Sequence, residues 1–196
     1  MAGCASKNAE IRRLLAELDR ASRGEADHAR RVAVYAVATA DRMGVPEDEL
    51  VLVRDVALLH DIGKVALDLD TLRKLGSLSD DELAEMRRHA MTAVAVLGEI
   101  PGLAAAIPGI RAHHERWNGT GYPDGLRREA IPFPAQVVGL AESFDVMAFG
   151  AAWMPCLGAN LARDFIQSGA GKEWDPEAVR AFLAIEPLIQ PIGMRA

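Results

Sequence analysis

Apolar positions recur along this chain at the three- and four-residue spacing of helices, and turn residues separate the recurrences into discrete segments. Ile11, Leu14, Leu15 and Leu18 mark a first helix over about 7–21, with Ser6 placed to cap it. Val32, Tyr35, Ala36 and Thr39 mark a second over about 25–43, followed by Gly44 as a C′ residue and Pro46 opening the next. The third runs from Pro46 to about His60 through Leu50, Val53, Val56, Ala57 and Leu59, and Gly63 breaks or bends it. Ser79 and Glu82 form a capping box ahead of a helix through Met86, His89, Val94 and Leu97, so that His89 projects from a helix interior and Gly98 and Pro101 end the segment.

A further helix over about 103–115, with Pro108-Gly109 as a possible interruption, places His113 and His114 near its end. The turn-rich stretch from Asn118 to Leu126 follows, and then a helix over about 134–149 that carries Glu142 and Asp145. Asp175-Pro176-Glu177 starts the last helix. No strand pattern, repeat or linker interrupts the series, so the prediction is one all-α domain over 1–196. Its parts are an N-terminal helix (1–24), a central core (25–150) and C-terminal helices (151–196).

Composition narrows the function classes. Half of the 196 residues are hydrophobic and few are aromatic, enough for one sizeable aliphatic core. Twenty-two basic against 28 acidic residues give a net charge of −6, which argues against long nucleic acid gripped through its backbone but leaves room for a small phosphorylated ligand. Cys4 and Cys156 show neither disulfide nor metal spacing. No apolar run reaches the roughly 18–20 residues of a membrane span, and 1–10 lack a secretory h-region, so the expectation is a cytoplasmic protein with no membrane partner.

The chemistry is concentrated in the histidines. All five, His28, His60, His89, His113 and His114, fall at points where one metal centre would draw on them. Two sit in longer words, His60-Asp61-Ile62-Gly63-Lys64 and the run from His113-His114-Glu115 to Gly121-Tyr122-Pro123. Neighbouring helical residues point about 100° apart, so each adjacent pair addresses two directions, as ligands shared between two metals do. Imidazoles bind first-row metals, and a carboxylate bridges two cations about 3.5–4 Å apart with a water or hydroxide between them as nucleophile. Any one of these histidines alone would more often be a satisfied core residue; five in this order, with a downstream carboxylate, favour a metal centre.

Lys64 suits a point-charge role toward a phosphate oxygen. The Gly119-to-Pro123 turn combines glycines that permit close backbone approach with a tyrosine face, a surface suited to a purine phosphate, although a tight loop anchored by Tyr122 would read the same way.

With these words in place, the chain resembles the HD-GYP family of metal-dependent phosphohydrolases. The resemblance runs from His28-Ala29-Arg30-Arg31-Val32 through His60–Lys64, Leu78-Ser79 to Glu82, His89 and the long word ending Gly121-Tyr122-Pro123-Asp124-Gly125-Leu126, to Ile131-Pro132. It implies an HD-domain-like helical bundle with added C-terminal helices and a glycine-rich GYP loop. It also implies a di- or trimetal centre, often of iron or manganese, and hydrolysis of the cyclic dinucleotide c-di-GMP by metal-activated hydroxide.

Carried over by position, the ligands are His28, His60, Asp61, His89, His113 and His114, with Asp61 as metal bridge and Lys64 beside the phosphate. The seventh ligand position, usually an aspartate, is Glu142 here. Trimetal members carry a glutamate one turn before the first histidine, where this chain has Gly24, and Glu25 is out of phase. Two divalent metals, iron or manganese, and the linear product pGpG are therefore expected.

The family's basic word after Asp145 is missing from 148–154. Arg111 and Arg116, or Arg127 and Arg128, are the candidates to grip phosphate instead, with Gly121, Tyr122 and Pro123 as further substrate contacts, and Trp153 stands where a base could stack. Alternatives are another HD-type phosphohydrolase of a different dinucleotide or a nucleotide, and a metal-bound module that senses a nucleotide or docks a signalling protein.

Overall fold

The computed structural model describes residues 2–72, 74, 76–98, 100–151 and 154–189, and is helical without a β-strand among them. The helices are α1 (Ala2–Ala21), α2 (Glu25–Arg42), α3 (Glu47–Leu59), α4 (Leu69–Leu72), α5 (Asp80–Arg87), α6 (His89–Leu97), α7 (Ile107–Ala112), α8 (Phe133–Phe149), α9 (Ala159–Ser168) and α10 (Pro176–Ile185). The helix expected from Ser6 begins earlier, at Ala2, which puts Ser6 inside it. Trp153 lies outside the described residues, as does the side chain of Cys4.

The core forms where α2, α3 and α8 meet. Val32 and Ala36, Val53 and Val56, and Val137 and Leu140 are all fully buried between them. Leu14 and Leu18 close one side from α1. Tyr35, Phe144 and Phe182 close the other as an aromatic cluster, with ring centroids 5.0–5.8 Å apart. Tilted and edge-on arrangements at this spacing suit the ring quadrupoles.

Two predicted helices are built differently. The segment after Ser79, which does form the capping box, is not continuous to Leu97: it ends at Arg87 and restarts at His89. Arg88 N–H donates to Glu85 O at 3.0 Å, a tightened i→i−3 bond, and the Met86 carbonyl is engaged by the His89 ring at 2.7 Å. His89 thus opens α6 rather than projecting from a helix interior. In the next segment Pro108 is no interruption; it lies in the first turn of α7, where its fixed φ and missing N–H cost nothing, and a short 3-10 turn (Ala104–Ala106) precedes it. His113 and His114 follow just past α7.

α3 ends at Leu59, and a 3-10 turn over Ile62–Ala66 swings the chain under α6. Gly63 makes this crossing possible. A Cβ there would stand 1.9 Å from the His89 carbonyl oxygen and 2.7 Å from Ala93 N, so only glycine lets the two backbones touch. Gly63→Ala should cost about 3 kcal/mol, the upper end for overpacking a tight site. Urea denaturation checks this, and an unchanged midpoint would show that α6 yields freely.

Candidate metal centre

The HD word arrives from α3. His60 caps that helix, and Asp61 follows with φ −96° and ψ 3°, where helical geometry ends. The neighbours in the cluster come from four other places: His28 from the first turn of α2, His89 from the start of α6, His113 and His114 from the end of α7, and Glu142 from the middle of α8. Helix ends supply most of these groups, because a side chain beyond the last turn is free of the helix's own packing face.

Two potential ligand sets result. His89, His113 and His114 form one and His28, His60 and Glu142 the other, the ligand atoms of each lying within 4.8 Å of one another. Asp61 stands between them: Oδ1 is 3.4 Å from His89 Nε2, while Oδ2 is 3.2 Å from His60 Nε2 and 3.8 Å from His28 Nε2. Glu142 Oε2 also faces across, 3.9 Å from His113 Nε2 and 3.8 Å from His114 Nδ1. The longer glutamate arm on α8 thus reaches both sets.

The outer partners aim the rings. Nδ1 of His60 donates to Ala57 O at 2.7 Å, that of His89 to Met86 O at 2.7 Å and that of His113 to Ile110 O at 2.5 Å. His28 Nδ1 donates to Asp145 Oδ2 at 2.7 Å, and Arg31 clamps the same carboxylate at 2.7 and 2.8 Å. Each bond fixes a ring orientation with Nε2 turned inward, the arrangement that metal-binding histidines use. Two inward atoms, His60 Nε2 and Asp61 Oδ1, are buried without a hydrogen-bond partner among the described residues. Orphaned buried polar atoms are costly, and a cation between them removes the cost, so the residues present fit divalent metals.

Charge follows the same logic. Burial holds His113 and His114 well below the ordinary histidine range and His89 below it, leaving neutral rings. For His60 burial also favours the neutral ring, but the Asp61 carboxylate prevails and pushes its pKa up to about 9. Burial opposes ionisation of Asp61, yet Lys64 and His60 hold it well below the usual carboxylate range. Glu142 is pushed up by burial. Lys64, itself buried, stays an ammonium because Asp61 lies 2.7 Å and Glu25 3.1 Å away.

Three cavities open around this cluster. The first, ≈ 310 Å³, runs toward the α1–α2 turn past Glu25, His28, Arg31 and Lys64. The second, ≈ 420 Å³, lies between Lys64, Arg87, Arg116 and Tyr122. The Tyr122 ring stacks on His114 with centroids 4.7 Å apart, and the Arg87 guanidinium sits 5.4 Å from the Tyr122 centroid. A third, ≈ 310 Å³, extends from His114 and Glu142 toward α9.

Of the expected substrate contacts, Lys64, Tyr122 and Arg116 line these cavities, whereas Arg111, Gly121, Pro123, Arg127 and Arg128 do not. Arg111 is held by Asp124 at 2.6 Å. Gly121 is required by the chain itself, since a Cβ there would lie 2.3 Å from Arg116 N and 2.5 Å from Glu115 Cα. The loop is instead organised by Glu115, a buried carboxylate that accepts from Asp124 N at 2.7 Å and Leu126 N at 3.0 Å.

Sequence reasoning had not singled out Glu115, Arg87 or the pairing of Glu25 with Lys64. Only Glu115 carried a signal, an acid inside the glycine-rich word.

A model of the HD domain matches residues 14–178. A cyclic di-GMP phosphodiesterase of Vibrio cholerae is 38% identical over 137 residues, 66% of this chain and 28% of its own length. One from Thermotoga maritima is 34% identical over 170 residues, 86% of this chain and 46% of its own length. The chain therefore spans less than half of either relative. Among solved structures, an HD-GYP-type protein from Bdellovibrio bacteriovorus superposes with a TM-score of 0.68 at 22% identity, over 83% of this chain and 52% of that one.

Proposed function

The chain belongs to the HD domain family, in its HD-GYP branch, and from that premise we propose that it is a metal-dependent phosphodiesterase that opens c-di-GMP to linear pGpG in the cytoplasm. The observation that carries the reading is Asp61, a buried carboxylate whose two oxygens face two separate histidine-bearing ligand sets. Divalent cations, iron or manganese by resemblance, would polarise the phosphodiester and bring water toward ionisation near neutral pH. Two ions suit the two sets, and Glu25, the acid nearest a third position, is committed to Lys64.

The protein's own groups do the rest. Lys64, with its ammonium between Asp61 and Glu25 and lining the first and second cavities, offsets charge that gathers on a nonbridging phosphate oxygen. Arg116 and Arg87, which line the second cavity with Tyr122, supply charge-assisted hydrogen bonds there. Burial keeps the Tyr122 phenol protonated, so it donates rather than repels. Asp145 and Arg31 keep the His28 ring oriented.

A second reading is favoured by the absence of a basic residue at 148–154. With that grip missing, the substrate is a different cyclic dinucleotide, or a nucleotide is bound and sensed without turnover. Anaerobically prepared protein, loaded with iron or manganese, should yield pGpG on chromatography, and a His60→Ala, Asp61→Ala double variant should not. Equal turnover in both samples would sink the phosphodiesterase reading, and calorimetric binding without product would favour the sensing module.

A further inference from the structure

The third cavity lies between α8, α9 and the loop entering α10, and it differs in character from the other two. Val146, Met147, Met154, Phe165 and Trp174 make its walls, and Arg116 is its one cationic lining residue. That guanidinium is engaged already, 3.2 Å from Glu173 and 5.5 Å from the Trp174 centroid. A phosphate placed here would meet the carboxylates of Glu142 and Glu173, which argues against an anion. Flat, weakly polar ligands suit such walls: thioethers adapt to a ring face, and aromatic side chains stack on one. Because the cavity shares His114 and Glu142 with the two ligand sets, whatever fills it lies directly beside them.

We propose that this cavity is a nucleobase subsite of the metal centre and that Glu173 makes it select guanine. The proposal rests on the reading of the chain as a cyclic dinucleotide phosphodiesterase. Purine faces lie against Met147, Met154 and Phe165, as extruded bases lie between apolar side chains in enzymes that read them. The edge decides identity. An ionised carboxylate only accepts hydrogen bonds, and guanine offers it two adjacent donors, N1–H and the N2 amine. Adenine presents one donor beside an acceptor nitrogen, which a carboxylate repels.

Glu173 is half-exposed at the rim, so one of its oxygens can hold Arg116 while the other meets the base. Its backbone is fixed to the glycine-rich loop: Trp117 N donates to Glu173 O at 3.0 Å and Asn118 N to Lys172 O at 2.9 Å.

The test uses the full chain loaded with manganese, and calorimetry with the hydrolysis-resistant phosphorothioate analogues of c-di-GMP and c-di-AMP. Wild type should favour c-di-GMP by tenfold or more, and Glu173→Gln should bring the two affinities within about threefold, since a neutral amide no longer penalises adenine. Phe165→Ser should weaken both ligands by about tenfold and leave their ratio alone, because stacking is indifferent to the base. Both side chains are about half-exposed, so neither change threatens the fold.

An unchanged ratio in the Glu173 variant, unchanged affinities in the Phe165 variant, or a wild type that binds neither ligand each overturns the subsite. Hydrolysis of bis(p-nitrophenyl) phosphate by wild type reports the metal chemistry without a base. Its failure counts against the phosphodiesterase reading, while the affinity ratio still decides the subsite.

Discussion

Asp61→Asn should lower phosphodiester turnover by about 10³-fold or more, equivalent to at least about 4 kcal/mol of transition-state stabilisation. The substitution keeps the size and one carbonyl oxygen, but turns an NH₂ toward either the His60 side, 3.2 Å from Oδ2, or the His89 side, 3.4 Å from Oδ1. Whichever way the amide flips, one ligand set loses its shared oxygen and gains a donor that repels a cation. Metal content should therefore fall from two ions per chain to one or none. Lys64 also loses a negatively charged partner at 2.7 Å, while Glu25 stays 3.1 Å away. Initial rates and elemental analysis on the same preparation check both halves. Turnover within tenfold of wild type at full metal content would exclude Asp61 as the bridging group.

The second large effect is expected one layer out. Asp145→Ala removes a carboxylate that is 1% exposed and bound by His28 Nδ1 and both arms of the Arg31 fork. What it leaves is a guanidinium, itself only 22% exposed and lying 4.7 Å from the Phe149 centroid, stripped of its bidentate partner, and a His28 ring free to rotate. Removing one member of a buried pair costs about 3–5 kcal/mol. Losing the group that orients a ligand histidine weakens metal binding about 10- to 100-fold. Urea denaturation and metal titration separate the two effects. Asp145→Asn is the informative companion, because an amide oxygen still accepts from His28 and should recover much of the metal affinity but little of the ion pair.

Much of this centre was legible before any coordinates. The candidate metal ligands sit in short words whose chemistry does not depend on distant packing, and the long apolar periods of α2, α3 and α8 fixed the scaffold that carries them. Glu142 was readable as a carboxylate substitute, and from α8 its Oε2 lies within 4 Å of both His113 and His114.

The misreadings have local causes. The break at Arg88 depends on a side-chain ring engaging a backbone carbonyl, a competition that periodicity does not register. α9 was not located individually, since Gly158 caps it without a side-chain bond and its exposed Leu161 and Phe165 blur the apolar stripe. Arg87, near His89 in sequence, reaches the second cavity because the chain turns between α5 and α6.

α8 divides its labour along its length. Its middle and the turn after it present Glu142 and Asp145 to the histidines, while Val146 and Met147 face the apolar opening that α9 completes. Neither ligand set includes a residue beyond Asp145, whereas seven of the eleven residues lining that opening come after it. Substitutions in the last quarter of the chain therefore reach the apolar opening without touching a residue of either ligand set. On the proposed function, ligand preference can thus change through a handful of side chains from 147 to 174 while both ligand sets stay as they are.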